Sequence, residues 1–271
     1  MATVLERPAQ TTRDARPAGI SDAEWKVRVD LAAFYRISAI YDYDDFLYTH
    51  ITARVPGPNK HFLINPFGLT FDEITASSLV KVDLDGNILG DGEYGINYAG
   101  YVIHSAIHAV REDAHWIAHF HTRDGMGSSA HADGLLPLSQ RALYIIPRLG
   151  YHDYEGVALN LDERERLQHD LGDKQFMLLR NHGTLALGKT AGSAWNAIYQ
   201  LEEACSAQVA ALAGGRDNVL IAPKEAQEEA LRQIAERPAA ARAAEGNKPH
   251  DQLAWEAVLR TVQRKLPGFD A

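Results

Sequence analysis

The sequence predicts an α/β fold of three layers, α/β/α, around a central sheet that is mixed and largely antiparallel. Three observations lead there. Short runs with alternating apolar side chains crowd the middle of the chain, among them "LYTHITARV" and "KHFLIN". Longer amphipathic runs flank them, from "SDAEWKVRVDLAAFYRISAI" near the start to "DQLAWEAVLRTVQRKL" at the end. Links of hairpin length between neighbouring strand runs exclude an all-parallel sheet, whose crossovers need about a dozen residues or more.

Residues 1–20 are rich in Pro, Arg, Thr and Ala and read as a disordered N-terminal arm. Ser21 followed by Glu24 is a capping box that opens the first helix. "LVKVDLDGNILG" reads as two short strands turning at Asp85-Gly86. Asn97 is placed to cap a helix running to about Arg111. "HWIAHFH" is a strand, and "RALYIIPRL" and "GVALN" read as two more. "QFMLLRNHGTLALG" reads as two strands joined at Asn181-His182-Gly183, with Gly183 free to take a positive φ. A long helix from Thr190 to Leu212 ends at Gly214-Gly215. The organisation expected is the arm, a main domain over 21–220, and peripheral helices over 221–271.

Composition narrows the function classes. With 271 residues, 46% hydrophobic and 23% charged, the chain can bury a substantial core. A net charge of −9 and a pI near 5.7 argue against nucleic acid or an anionic membrane surface as partner. Cys205 is the lone cysteine, so an intrachain disulfide and a thiolate metal cluster are both excluded. It lies mid-helix and reads as packed. The first twenty residues lack the apolar segment of a secretory signal, and no apolar run has the length of a membrane span. A cytoplasmic protein acting on a small molecule is the expectation.

The informative residues are histidines. In "HWIAHFHTRDG" strand alternation puts His119 and His121 on one face and Trp116, Ala118 and Phe120 on the other. The pair alone leaves two readings open: metal ligands, or imidazoles satisfied by nearby backbone and carboxylates. His182, at a turn between strands, can reach across the sheet end as a third ligand. Three neutral imidazoles with open positions describe a catalytic divalent-metal site. His115 shares their parity but sits at the strand's start and is expected to be exposed. His104 and His108 are four apart on a helix and share a face, in "HSAIH", without the Glu of a zinc-protease helix. They read as a polar edge facing the sheet end, with His104 a candidate for supporting the site from behind. His50 is kept as a candidate; His61, His131, His152, His169 and His250 are assigned to surface or loops. Gly90 to Gly95 match G-x-G-x-x-G, but two carboxylates lie inside the loop and a hairpin precedes it, so no nucleotide cofactor is expected. "DLDGN" lacks the twelfth-position Glu of a calcium loop.

Taken in order, "THITARV", "FLINPFGLTFDEITASSLVKVDLDG", "HSAIHAVRED", the H-x-H pair, "GLLPLS", "GYHDYEG" and "LLRNHGTLALG" resemble the class II aldolase/adducin family, in its adducin-like, bacterial-type branch. The resemblance covers about residues 22–220. It implies a three-layer α/β/α fold, a homotetramer with sites at subunit boundaries, and one divalent metal ion (zinc, manganese or iron) held by His119, His121 and His182. Aldolases of the family carry an acid/base Glu where this chain has Gly100. Two serines that grip a sugar phosphate become Tyr98 and Ala99, a phosphate-loop Thr becomes Phe67, and an Asn becomes His50. The expected substrate is therefore non-phosphorylated, with Phe67, Gly68 and Tyr98 as substrate-binding positions.

Three functions follow from the resemblance. The first is a metal-dependent lyase, cleaving a C–C bond or decarboxylating an oxo-acid or hydroxy-carbonyl compound, aromatic ones included. His50, Tyr98, Tyr101 or His104 would move the proton in place of the missing Glu. The second is a non-haem Fe(II) oxygenase or oxidative decarboxylase. The third is a non-catalytic, adducin-like interaction protein.

Overall fold

The computed structural model describes residues 16–90, 94–236 and 248–271. Most of the expected arm, residues 1–15, and residues 91–93 of the glycine-rich loop lie outside them. The elements run α1 (Asp22–Ile40), β1 (His50–Arg54), β2 (Phe62–Ile64), β3 (Val80–Val82), α2 (Tyr98–Val110), β4 (Trp116–Phe120), α3 (Arg123–Ser129) and α4 (Gln140–Ile145). They continue with β5 (Leu149–His152), α5 (Glu163–Leu171), β6 (Phe176–Leu179), β7 (Gly183–Gly188), α6 (Ala191–Leu212), α7 (Lys224–Ala235) and α8 (His250–Lys265). The strands form one sheet in the order β3-β2-β1-β4-β7-β6-β5. Every pairing is antiparallel except β5 with β6. The sheet is thus mixed and largely antiparallel.

Alternation along β4 divides two cores. Trp116, Ala118 and Phe120 join α1, α4, α6 and α8 on one face, where Phe34 meets Trp195 edge-on at 5.7 Å. Ile117 joins α2 and α5 on the other, with Leu185 and Leu187 of β7. Helices on both faces make the three layers. α1, α2 and α6 start on capping side chains. Ser21 Oγ accepts from Glu24 N (3.2 Å), Asn97 Oδ1 from Gly100 N (3.2 Å), and Thr190 Oγ1 from Ser193 N (3.0 Å). Only the third is a full box. The Glu24 carboxylate instead takes Arg28 and Lys81, both at 2.9–3.0 Å.

Several sequence expectations change. "RALYIIPRL" is mostly helix, capped where Ser139 Oγ accepts from Ala142 N (3.2 Å), and only its last residue opens β5. A short apolar run does not distinguish helix from strand by pattern. Arg148 over the Tyr144 ring, 3.9 Å to its centroid, uses the i,i+4 spacing that a helix supplies. "GVALN" forms no strand; Val157 is 70% exposed in an open turn. The second strand of "LVKVDLDGNILG" reduces to one bridge, Val82 to Ile88, because Asp83 Oδ1 holds the Asp85 and Asn87 amides (both 2.9 Å) in a side-chain turn. The helices after 220 are not alike. α7 buries no residue, whereas α8 inserts Val258 and Val262 into the first core. No helix among the described residues is long and apolar enough to cross a membrane.

Candidate metal centre

One end of the sheet collects the start of β1, the end of β4, the start of β7 and the ends of β5 and β6. The α2 N-terminus joins them there, since Gly100 abuts the His50 ring. His119 stands on β4, His121 one residue past it, and His182 one residue before β7. Their Nε2 atoms converge: His121 Nε2 is 2.9 Å from His119 Nε2 and 2.9 Å from His182 Nε2. One ligand atom from each of the three lies within 4.8 Å of the others.

The backbone makes this approach possible. At Gly183 a Cβ would lie 2.2 Å from the Phe120 carbonyl oxygen, so only glycine lets β7 run this close to β4. Gly183 does not take the expected positive φ; Asn181 does, at 54°, a residue whose short polar side chain tolerates that region.

The tautomers follow from fixed partners. His119 Nδ1–H donates to the Thr184 carbonyl (2.8 Å), and His121 Nδ1–H donates to Asp45 Oδ2 (3.0 Å). Both Nε2 atoms are then lone pairs facing each other at 2.9 Å. Lone pairs repel unless a cation or proton lies between them, and three converging imidazoles, two of them with Nδ1 anchored to oxygen, form the donor set of a borderline divalent ion. Burial lowers the His119 pKa well below the usual value, and the neighbouring imidazoles lower it further. Burial, then His121 and His152, bring His182 to about 4. Neutral imidazole is the ligating form.

Behind the triad Glu202 is wholly buried. It accepts from Thr122 Oγ1 (2.5 Å) and from Thr184 Oγ1, residues next to His121 and next but one to His182. Burial raises its pKa to about 7 against those hydrogen bonds. Asp45 lies in a turn bracketed by positive φ at Asp42 (57°) and Phe46 (50°). Neither carboxylate was singled out from the sequence.

His50, on β1, pairs in register with His119, their rings 5.0 Å apart. His50 Nδ1 is 3.0 Å from His104 Nε2, and Thr52 Oγ1 bridges His104 Nδ1 (2.7 Å) and His108 Nε2 (2.8 Å). The pair expected as a polar edge is therefore fully buried. Gly100 explains where His50 lies. A Cβ at position 100 would fall 2.3 Å from His50 Cδ2, so the imidazole fills the space a side chain there would need.

The aromatic candidates separate. Tyr98, 48% exposed, begins α2 two residues before Gly100. Tyr101 is drawn away, because its hydroxyl donates to the Leu84 carbonyl (2.9 Å) and its ring packs against Gly86. Phe67 lies in a turn three residues past the end of β2 and donates its N–H to Gly95 O (2.8 Å), just before α2. Gly68 takes φ +124°, with the Tyr94 ring 3.5 Å from where its Cβ would be. His152, expected on the surface, is buried on β5, with Asp170 Oδ2 at 2.7 Å and Glu163 Oε1 at 3.4 Å. His115 is exposed, and Cys205 is buried in α6, where burial pushes its thiol pKa up.

Comparison with known proteins agrees with this architecture. The profile of the Class II Aldolase and Adducin N-terminal domain matches residues 29–209. A Caulobacter vibrioides protein carrying a provisional aldolase class 2 name is 54% identical over 250 residues, which are 92% of this chain and 94% of that one. Alpha-adducin of Rattus norvegicus is 41% identical over 226 residues, 82% of this chain but 31% of the adducin. The crystal structure of an aldolase II superfamily protein from Pseudomonas syringae superposes with a TM-score of 0.85 at 49% identity, covering 93% of this chain and 98% of that one. The chain belongs to the class II aldolase and adducin N-terminal domain family.

Proposed function

We propose that this protein is a divalent-metal-dependent lyase acting on a non-phosphorylated hydroxy-carbonyl or oxo-acid compound. The observation that carries the proposal is the convergence of three imidazole Nε2 atoms with their Nδ1–H groups tied back to oxygen at His119 and His121. A metal bound there would act as a Lewis acid for charge developing on a substrate oxygen. His50 is the proton-transfer group beside the triad, with His104 acting through it. Tyr98 offers a hydroxyl at the mouth. Aromatic side chains at 67, 94 and 98, in place of a phosphate cradle, support a flat substrate without phosphate.

The rings of Phe46, Tyr48, Phe67 and Tyr98 are exposed, and the segments carrying the last three meet at the start of α2, where Asn97 Nδ2 donates to the Tyr48 carbonyl (3.4 Å) and Phe67 N–H to Gly95 O (2.8 Å). Apolar surface of this kind next to a site supports a boundary with a second copy, and we assign the protein a homotetramer. Light scattering at a mass of one 29.9 kDa chain would remove that assignment.

The experiment is metal content of untagged protein by elemental analysis, with His119→Ala and His182→Ala alongside. About one equivalent of zinc or manganese, lost in both variants, is expected. Stoichiometric iron with oxygen uptake on oxo-acids would replace the lyase by the oxygenase reading, which three neutral ligands also suit. No metal after reconstitution would leave the adducin-like, non-catalytic reading that the adducin relative supports.

A further inference from the structure

The hydrogen bonds behind the triad form a line whose direction is fixed by bookkeeping. It begins at the Ala114 carbonyl, which can only accept, so His108 Nδ1 carries the proton across 3.0 Å. A neutral His108 then has a lone pair on Nε2 and must accept from the Thr52 hydroxyl at 2.8 Å. That hydroxyl has one proton, so toward His104 it can only accept, and His104 Nδ1–H donates at 2.7 Å. His104 Nε2 is therefore a lone pair and takes the Nδ1–H of His50 at 3.0 Å. What remains at the end of the line is His50 Nε2, unprotonated, against the Gly100 backbone beside the triad.

The premise is that each ring is neutral. All three are fully buried, and at the far end of the line burial lowers the pKa of His108 to about 3. No carboxylate hydrogen-bonds to any of the three rings among the described residues, so nothing offsets a charge on them.

We propose that Thr52, His104 and His108 are positioning residues that lock His50 as its Nδ1–H tautomer. The site consequently presents a hydrogen-bond acceptor, and selects ligands carrying a hydroxyl next to their metal-binding oxygen. An unreduced oxo group has no proton to offer at that point. Within the reaction class proposed above, this favours hydroxy-carbonyl and hydroxy-acid ligands over oxo-acids. The ligand half of the inference rests on the metal reading; the tautomer half does not, because the line touches no triad nitrogen.

Both halves can be measured. In long-range ¹H–¹⁵N spectra of ¹⁵N-histidine-labelled protein, with His50 identified by its loss in His50→Gln, the Nδ1–H pattern is expected with and without zinc. Thr52→Val, which keeps the shape and removes the hydroxyl, is expected to shift His50 toward the Nε2–H pattern. Thr52→Ser restores it. An Nε2–H pattern in the unaltered protein, or no change in Thr52→Val, overturns the lock; if Thr52→Val does not fold, the unaltered protein's pattern still decides. On zinc-loaded protein, calorimetry should find glycolate bound about tenfold more tightly than methoxyacetate, one charge-neutral hydrogen bond's worth, with the gap closing in Thr52→Val. Equal affinities in the unaltered protein overturn the selectivity. A protein that takes up no zinc sinks the metal reading, while the spectra of the metal-free protein still test the lock.

Discussion

Two groups of histidines share one face of the sheet, a triad at one end and a line that runs to that end from beside Ala114, and they are wired in opposite ways. In the triad, His119 and His121 spend their Nδ1–H on oxygens outside the group, and three Nε2 atoms turn toward one point. In the line from His108 to His50, each ring hands its hydrogen bond to the next, and one lone pair emerges at the end. Residue type does not distinguish them, and burial does so only in part, since His119 is as buried as the line while His121 and His182 are partly exposed. The partner of Nδ1 does: an anchored Nδ1–H outside the group converges lone pairs on a cation, whereas an anchor at one end only polarises a series.

The comparison breaks most completely at the triad. His121→Ala removes the imidazole common to both short contacts, and loss of stoichiometric metal is expected after dialysis, read by elemental analysis. Asp45→Asn sharpens the same side. It keeps the shape but weakens the anchor on His121 Nδ1, and metal affinity should fall about 10–100-fold in a competition titration with a chelator.

Gly100→Ala attacks the other group. Its Cβ must displace the His50 ring, so a loss of about 1–3 kcal/mol in denaturant unfolding is expected, with metal stoichiometry unchanged. Equal loss of metal would show that the two groups are one unit.

The smallest effect is a pH slope. Burial depresses the His108 pKa in the folded protein to about 3 from its ordinary 6.5. Between those values the unfolded chain binds the extra proton, so stability from this group is full above about pH 6.5 and is lost as pH falls toward 3. His108→Leu removes the line's anchor but also this penalty, and its melting temperature should fall less steeply between pH 7 and 5. A steeper fall would mean that His108 is not held neutral.

Alternation and turn chemistry made the triad legible: the H-x-H parity placed His119 and His121 together, and the turn at Asn181 delivered His182. The line was half legible. His50 and Thr52 share strand parity, and His104 and His108 share a helix face, so two matching stripes were present. What was missing was the knowledge that β1 and α2 face each other, which no local pattern contains. Asp45 was invisible for the same reason. It reaches His121 across 76 residues from a turn with two non-glycine residues at positive φ, which the sequence does not announce. The fold's class followed from strand alternation and link length, but the stretch before β5 did not, since a six-residue helix and a strand share the same apolar composition.

The close fit of His50 into the space above Gly100 bears on how this site can be altered. Position 100 has no room for a side chain while position 50 holds an imidazole, and a smaller residue at 50 leaves a void while 100 stays glycine. The two positions are epistatic. A library that varies them one at a time meets only losses, and a carboxylate at 100 becomes reachable only in chains that shrink residue 50 in the same step.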